Sequence, residues 1–194
     1  PVRVQPSMRV DLFDFDLPEE RIALRPALPR ESARLLRVLP EGPFLDQTIG
    51  DLPDGLRAGD VLVFNDTKVI PARLFGERRR NGLPDGQGLA SVEATLHMRT
   101  HLDTWKAFLR PAKRVRVGDR LQFSSATAPN TILVADVVEK GEAGEAVLQF
   151  NRSGPELDRA IHSVGQLPLP PYIASKRGED EQDRSDYQTV YARH

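Results

Sequence analysis

Cysteine is absent from the chain. That removes disulfide bridges, thiolate metal sites and a thiol nucleophile together, and it fits a reducing compartment. Long apolar runs are missing too. No segment approaches the roughly 20 apolar residues of a membrane-spanning helix, so no membrane partner is expected and a cytoplasmic location is. Neither charge dominates: 27 Lys and Arg face 28 Asp and Glu, for a net charge of −1. A site for a polyanion must therefore be a local patch and not a global field. Aromatic residues are only 6% of the chain, with three tyrosines and one tryptophan. Pro1 to Ser7 lacks the apolar run and cleavage site of a signal peptide, and reads as a tag or disordered extension ahead of Met8.

What is present, 39% hydrophobic and 28% charged residues in a chain of 194, is the composition of a soluble globular protein of one or two domains. Asp16 as a cap, Pro18 in a first turn and Glu19-Glu20 behind it predict a short helix that stops before Pro26. Ala33 to Leu39 predicts a strand and Leu52 to Leu56 a helical turn. Val61-Leu62-Val63-Phe64 is an uninterrupted apolar run, as in a strand buried on both faces of an α/β layer.

From about Pro71 to Phe150 the texture changes, with strands predicted at 72–79, 90–100, 104–110, 120–123, 131–139 and 145–150. Val92, Ala94, Leu96 and Met98 alternate with Glu93, Thr95, His97 and Arg99, a period-two pattern with one polar face. Short strands at this spacing point to a small antiparallel barrel, with a mobile loop at 81–88. Beyond it, Gly154-Pro155 opens a helix carrying Leu157, Ile161 and Val164 on one face, which Gly165 can close. Leu167 to Ile173 reads as stiff and extended, and Ala174 to Ser185 as disordered. The expected architecture is an α/β host domain, incomplete in this chain, formed by 8–71 and 151–194, with a small antiparallel β-barrel domain inserted at 72–150.

Three segments are candidates for chemistry. Asn65-Asp66-Thr67-Lys68 follows the apolar run, where ligands of open α/β sheets bind, and Arg73 lies shortly beyond. The same residues also suit a turn held by Asx-type hydrogen bonds. Arg110, Lys113, Arg114 and Arg116 belong to a run of five cations in eleven residues that only Asp119 opposes. That run is either a phosphate-binding stripe or a solvated strand edge, with the edge favoured on composition alone. Arg78-Arg79-Arg80 carries the same alternatives. Tyr187 and Tyr191 share a face if 185–192 is helical, suited either to base stacking or to a core rim. The four histidines, at 97, 101, 162 and 194, form no ligand pair, so no metal is expected.

Five motifs then appear in order: FDFDLP at 13–18, NDTKVIPARL at 65–74, RPAKR at 110–114, PLPPYI at 168–173 and YQTVYA at 187–192. Together they resemble the S-adenosylmethionine:tRNA ribosyltransferase-isomerase family of queuosine biosynthesis, over its N-terminal part. The resemblance departs at Lys68, where the family usually has Arg, and at Ala112, where it usually has Gly. It implies an enzyme that moves the ribosyl part of S-adenosylmethionine, a co-substrate, onto 7-aminomethyl-7-deazaguanine in a tRNA anticodon. The products would be epoxyqueuosine-tRNA, adenine and methionine. Asp66 and Tyr172 are the implied catalytic candidates. Asn65, Thr67, Lys68, Arg73, Tyr187, Gln188 and Tyr191 are implied for substrate binding, and Arg110, Lys113, Arg114 and Arg116 for tRNA. A monomer is expected, with this piece inactive alone. The alternative is a non-catalytic tRNA-binding barrel lacking the catalytic part.

Overall fold

A computed structural model describes residues 9–80 and 88–192. The expected extension Pro1–Ser7, the expected loop at 81–88 apart from Gly88, and His194 lie outside the described residues. The described chain falls into two compact units, one ending at Leu62 and the other beginning at Val63.

The first unit holds one antiparallel hairpin. Strand β1 (Arg34–Arg37) pairs with β2 (Leu45–Thr48) from Arg34↔Thr48 to Arg37↔Leu45. A 3-10 turn, Ile49–Gly55, follows and is fixed by a capping box. One Asp51 oxygen accepts from both the amide and the hydroxyl of Thr48, each at 2.8 Å. These bonds, the amide's first, hold the Asp51 carboxylate below its ordinary pKa. The helix expected after Asp16 is instead a single 3-10 turn, Glu19–Arg21. Pro18, whose backbone is extended, takes the cap position, and no side chain caps the turn.

No residue from 9 to 62 is buried. The apolar run Val61–Phe64 corrects a second expectation: it forms no strand and stays exposed, with Val63 at 91%. An apolar run becomes a sheet strand only where neighbours satisfy its backbone groups and cover its faces. The described residues supply no strand neighbour for it.

The second unit is a closed antiparallel barrel of six strands: β3 (Arg73–Arg79), β4 (Ala90–His101), β5 (Thr104–Arg110), β6 (Arg120–Ser125), β7 (Ala128–Lys140) and β8 (Glu145–Phe150). Their order is β3-β4-β5-β8-β7-β6, and β3 pairs with β6 to close the ring. Closure leaves no free sheet edge. The strand boundaries lie close to those expected from alternation. Val92, Ala94 and Leu96 turn inward to meet Leu121, Phe123 and Leu148 in one hydrophobic core, whereas a register shift after Leu96 leaves Met98, expected on the same face, 52% exposed. Gly76 sits at the closing seam, where a Cβ would lie 2.1 Å from the Gln122 carbonyl oxygen.

Helix α1 (Gly154–Val164) runs as expected from its apolar spacing. Its buried face, Leu157, Ala160, Ile161 and Val164, belongs to the same core as the barrel interior. Gly165, whose backbone is extended, follows its end, and only glycine fits there, since a Cβ would stand 1.9 Å from the Pro71 carbonyl oxygen. Arg73 and Gln166 then pair through both backbone groups, at 3.1 and 2.8 Å.

The expected extended stretch 167–173 buries Leu167 and Leu169, then turns into α2 (Pro171–Ala174), where a proline suits the first helical position. The segment expected to be disordered holds an ion-paired turn and α3 (Asp183–Asp186). Asp183, 1% exposed, accepts both Arg177 guanidinium nitrogens at 2.7 and 2.6 Å and the Asp180 amide at 2.9 Å.

Candidate functional site

The loop after Phe64 takes the Asx-turn geometry. Asn65 Oδ1 accepts from the Thr67 amide at 3.0 Å and the Thr67 hydroxyl at 2.6 Å. The loop meets the segment after α3. Gln188 accepts from the Val69 amide and donates to its carbonyl, both at 2.9 Å, so its side-chain amide stands in for a strand partner. The Thr189 hydroxyl donates to the Asn65 carbonyl at 3.2 Å, and the Tyr191 ring lies 4.3 Å from that of Phe64. Two of the candidate segments are thus one structural unit, built from residues more than a hundred positions apart. The segment 185–192 is not a continuous helix: α3 stops at Asp186, and Tyr187 caps it. Gln188 and Asn65 spend their polar atoms on backbone and turn. Asp66 and Lys68 are exposed and have no polar partner among the described residues.

Arg73 opens β3 and donates from Nε to Glu93 at 2.6 Å, with its guanidinium 4.8 Å above the Phe75 ring. That hydrogen bond raises the arginine pKa further, so Arg73 keeps its charge at any physiological pH. Tyr172 lies on α2 and is 53% exposed. No group of three or more potential metal ligands gathers among the described residues.

The basic segment is a shaped loop. After β5, a 3-10 turn at Ala112–Arg114 leads to the buried Val115 and the turn at Gly118. Ala112 fits without strain, because Ala143 is the one non-glycine described with positive φ. Buried or stapled groups hold the loop from beneath. Asp119, almost fully buried, accepts from the Arg116 amide at 2.9 Å and from Arg80 Nε at 3.2 Å. Arg78, 8% exposed, donates to the carbonyls of Arg114 and Gly88 at 2.8 and 2.7 Å. Lys140 Nζ bridges the Ala112 and Val115 carbonyls at 2.8 Å each. The carbonyls are thus engaged while the side chains of Arg110, Lys113, Arg114 and Arg116 stay exposed, with no acidic partner among the described residues.

Arg78 and Arg80 are therefore structural and not a solvated run. Strand parity carried that signal, since Arg78 shares the inward face with Leu74 and Gly76. The roles of Asp119 and Lys140 needed the folded loop to appear.

The chain matches the family described as queuosine biosynthesis protein over residues 10–194. It belongs to that family. Relatives from Brucella anthropi and Chelativorans sp., each named S-adenosylmethionine:tRNA ribosyltransferase-isomerase, are 64% identical over 188 residues. Those residues are 96% of this chain and 50% and 51% of the relatives. A crystal structure of an S-adenosylmethionine tRNA ribosyltransferase from Thermotoga maritima is 32% identical. It covers 84% of this chain and 52% of that one, with a TM-score of 0.36. The chain spans about half the length of the relatives it matches.

Proposed function

We propose that the whole protein transfers and isomerises the ribosyl moiety of S-adenosylmethionine onto 7-aminomethyl-7-deazaguanine in tRNA. Epoxyqueuosine-tRNA, adenine and methionine are the products. The observation that carries this is the 64% identity over 96% of the chain to relatives named for that activity. The protein works in the cytoplasm as a monomer. The α/β host domain is completed when further strands pair with the exposed run Val61–Phe64. In that domain, 8–71 and 151–194 flank the barrel at 72–150, with α1 resting on the barrel.

The chemistry follows from the sulfonium of the co-substrate, which acidifies the adjacent ribose C5′ proton, so a general base opens the sequence. Asp66 is the base candidate in this chain, exposed and without a polar partner on a loop fixed by Asn65 and Gln188. Thr67 and Lys68 on the same loop contact substrate. Tyr172 supplies a proton to departing adenine, and Tyr187 and Tyr191 stack near it. Arg73 acts through Glu93, fixing the start of the barrel. Arg110, Lys113, Arg114 and Arg116 take tRNA phosphates, which positions the RNA without reading its sequence.

Adenine release by full-length protein tests this reading. It should require both S-adenosylmethionine and tRNA bearing 7-aminomethyl-7-deazaguanine. Equal release with unmodified tRNA, or none with either, would refute it. Replacing Lys113 and Arg114 with Ala should lower the slope of log affinity against log salt by roughly 0.7 to 0.9 per lost contact. An unchanged slope removes the loop from the tRNA site.

A further inference from the structure

Strand alternation on β5 sends Ala107 and Leu109 into the core and leaves Phe108 and Arg110 on the outer surface. In register, Phe108 stands between Thr95 of β4 and Glu145 of β8, while Arg110 stands beside Glu93. Across β4, Arg73 faces Thr95 and Phe75 faces Glu93. The outer face of β3, β4, β5 and β8 is therefore a grid with two aromatic rings, each two residues from an arginine on its own strand.

Phe108 is the open ring, 46% exposed. An exposed phenylalanine by itself is ordinary; this one is held. His97 stacks on it with centroids 4.6 Å apart and planes 24° apart, and His97 Nε2 lies 3.1 Å from a Glu145 oxygen. The acids beside the ring are engaged, Glu93 by Arg73 at 2.6 Å and Glu145 by His97 and by Lys106 at 3.4 Å, while Glu77, further along β3, is exposed. Arg110 then leads from the ring into the loop that carries Lys113, Arg114 and Arg116.

A flat ring held in a strand register beside exposed cations is the combination that single-stranded nucleic acid uses, with bases stacking on the ring and phosphates on the cations. Duplex RNA keeps its bases inside the helix and has no use for such a ring.

We propose that the Phe108–His97 stack is a landing surface for an unpaired base of an RNA loop, with Arg110 and the 113–116 cations taking the neighbouring phosphates. This rests on the tRNA reading above and adds a site for a base to the site for the backbone.

Phe108→Leu in the full-length protein keeps apolar bulk and removes the π face. Affinity for an anticodon stem-loop should fall roughly fivefold to 150-fold. The salt slope should stay at the parent's value, because no charge is lost. Affinity for a blunt RNA duplex should not change, and Phe108→Tyr should restore loop binding. Equal loss for loop and duplex, or loss for neither, overturns the proposal. The double replacement of Lys113 and Arg114 separates the two readings. If it leaves the slope unchanged while Phe108→Leu weakens loop binding alone, the phosphate site falls and the stacking surface stands. The opposite pattern keeps the phosphate site and removes the stacking surface.

Discussion

Lys140 counts as a surface cation in any tally of charge, yet its ammonium group is spent on two backbone carbonyls of a loop that lies 25 and 28 residues away in sequence. A staple of that kind fixes the shape in which its neighbours are presented and touches no ligand. Lys140→Met keeps the aliphatic stem and loses the donors. The loop, still held by Arg78 and Asp119, should then be less ordered before binding, which weakens RNA affinity roughly threefold to tenfold at an unchanged salt slope. Backbone amides at 114 and 115 should exchange faster in the free protein. A slope lowered by a full contact would instead make Lys140 a phosphate ligand, and unchanged affinity would make the staple idle. The same scale shows where sequence reading stops. The exposed cations Arg110, Lys113, Arg114 and Arg116 stand out in the sequence as a run, whereas Asp119, which organises the turn beneath them, reads there as their lone opponent. Net charge along a chain does not say which group turns inward.

At the scale of elements, alternation located all six barrel strands, because inward and outward positions differ in polarity all the way round a closed sheet. Apolar spacing located α1 for the same reason. The association of α1 with the barrel was not legible, since an apolar stripe does not name the surface it covers. Leu157, fully buried in the shared core, tests that association. Leu157→Ala should cost the barrel about 2 to 5 kcal/mol. Loss of helix signal without a shift of the barrel's melting would contradict the shared core.

The hairpin turn makes a pH prediction. Thr48 holds the Asp51 pKa down in the folded state. A depressed pKa gives stability that is complete above the ordinary carboxylate value, about 3.9, and is lost as pH falls through the lower folded value. Exchange of the Thr48 amide should therefore quicken only in acid, and Asp51→Asn should abolish that dependence. An identical acid response in the variant would place its cause elsewhere.

For the molecule as a whole, the two units differ in kind. The one from Val63 onward carries its own core, while the residues from 9 to 62 bury nothing. The apolar run Val61–Phe64 reads as an α/β strand by composition and forms none here, because pairing is a property of neighbours. The candidate loop behind it was legible as a motif, and its partnership with Gln188 was not. A full-length protein in which Val61–Phe64 joins a sheet should protect those amides from exchange, and rapid exchange there would leave the run without partners. Asp66→Asn in that protein should reduce adenine release by roughly a hundredfold or more if it is the base, with tRNA affinity retained. Parental turnover would end its candidacy.

The paired backbone groups of Arg73 and Gln166 bring the start of β3 next to the residue just past α1. The polypeptide therefore returns to the place it left after building a closed barrel and the helix upon it. For the flanking chain this is a detour of no net displacement, a cassette that can be lengthened, exchanged or moved without rerouting what lies on either side. Residues 72–167 spliced into a surface loop of an unrelated host should fold with a melting transition of their own and leave the host's nearly where it was. A host that unravels with its guest would show that the two ends are held together by something outside the cassette.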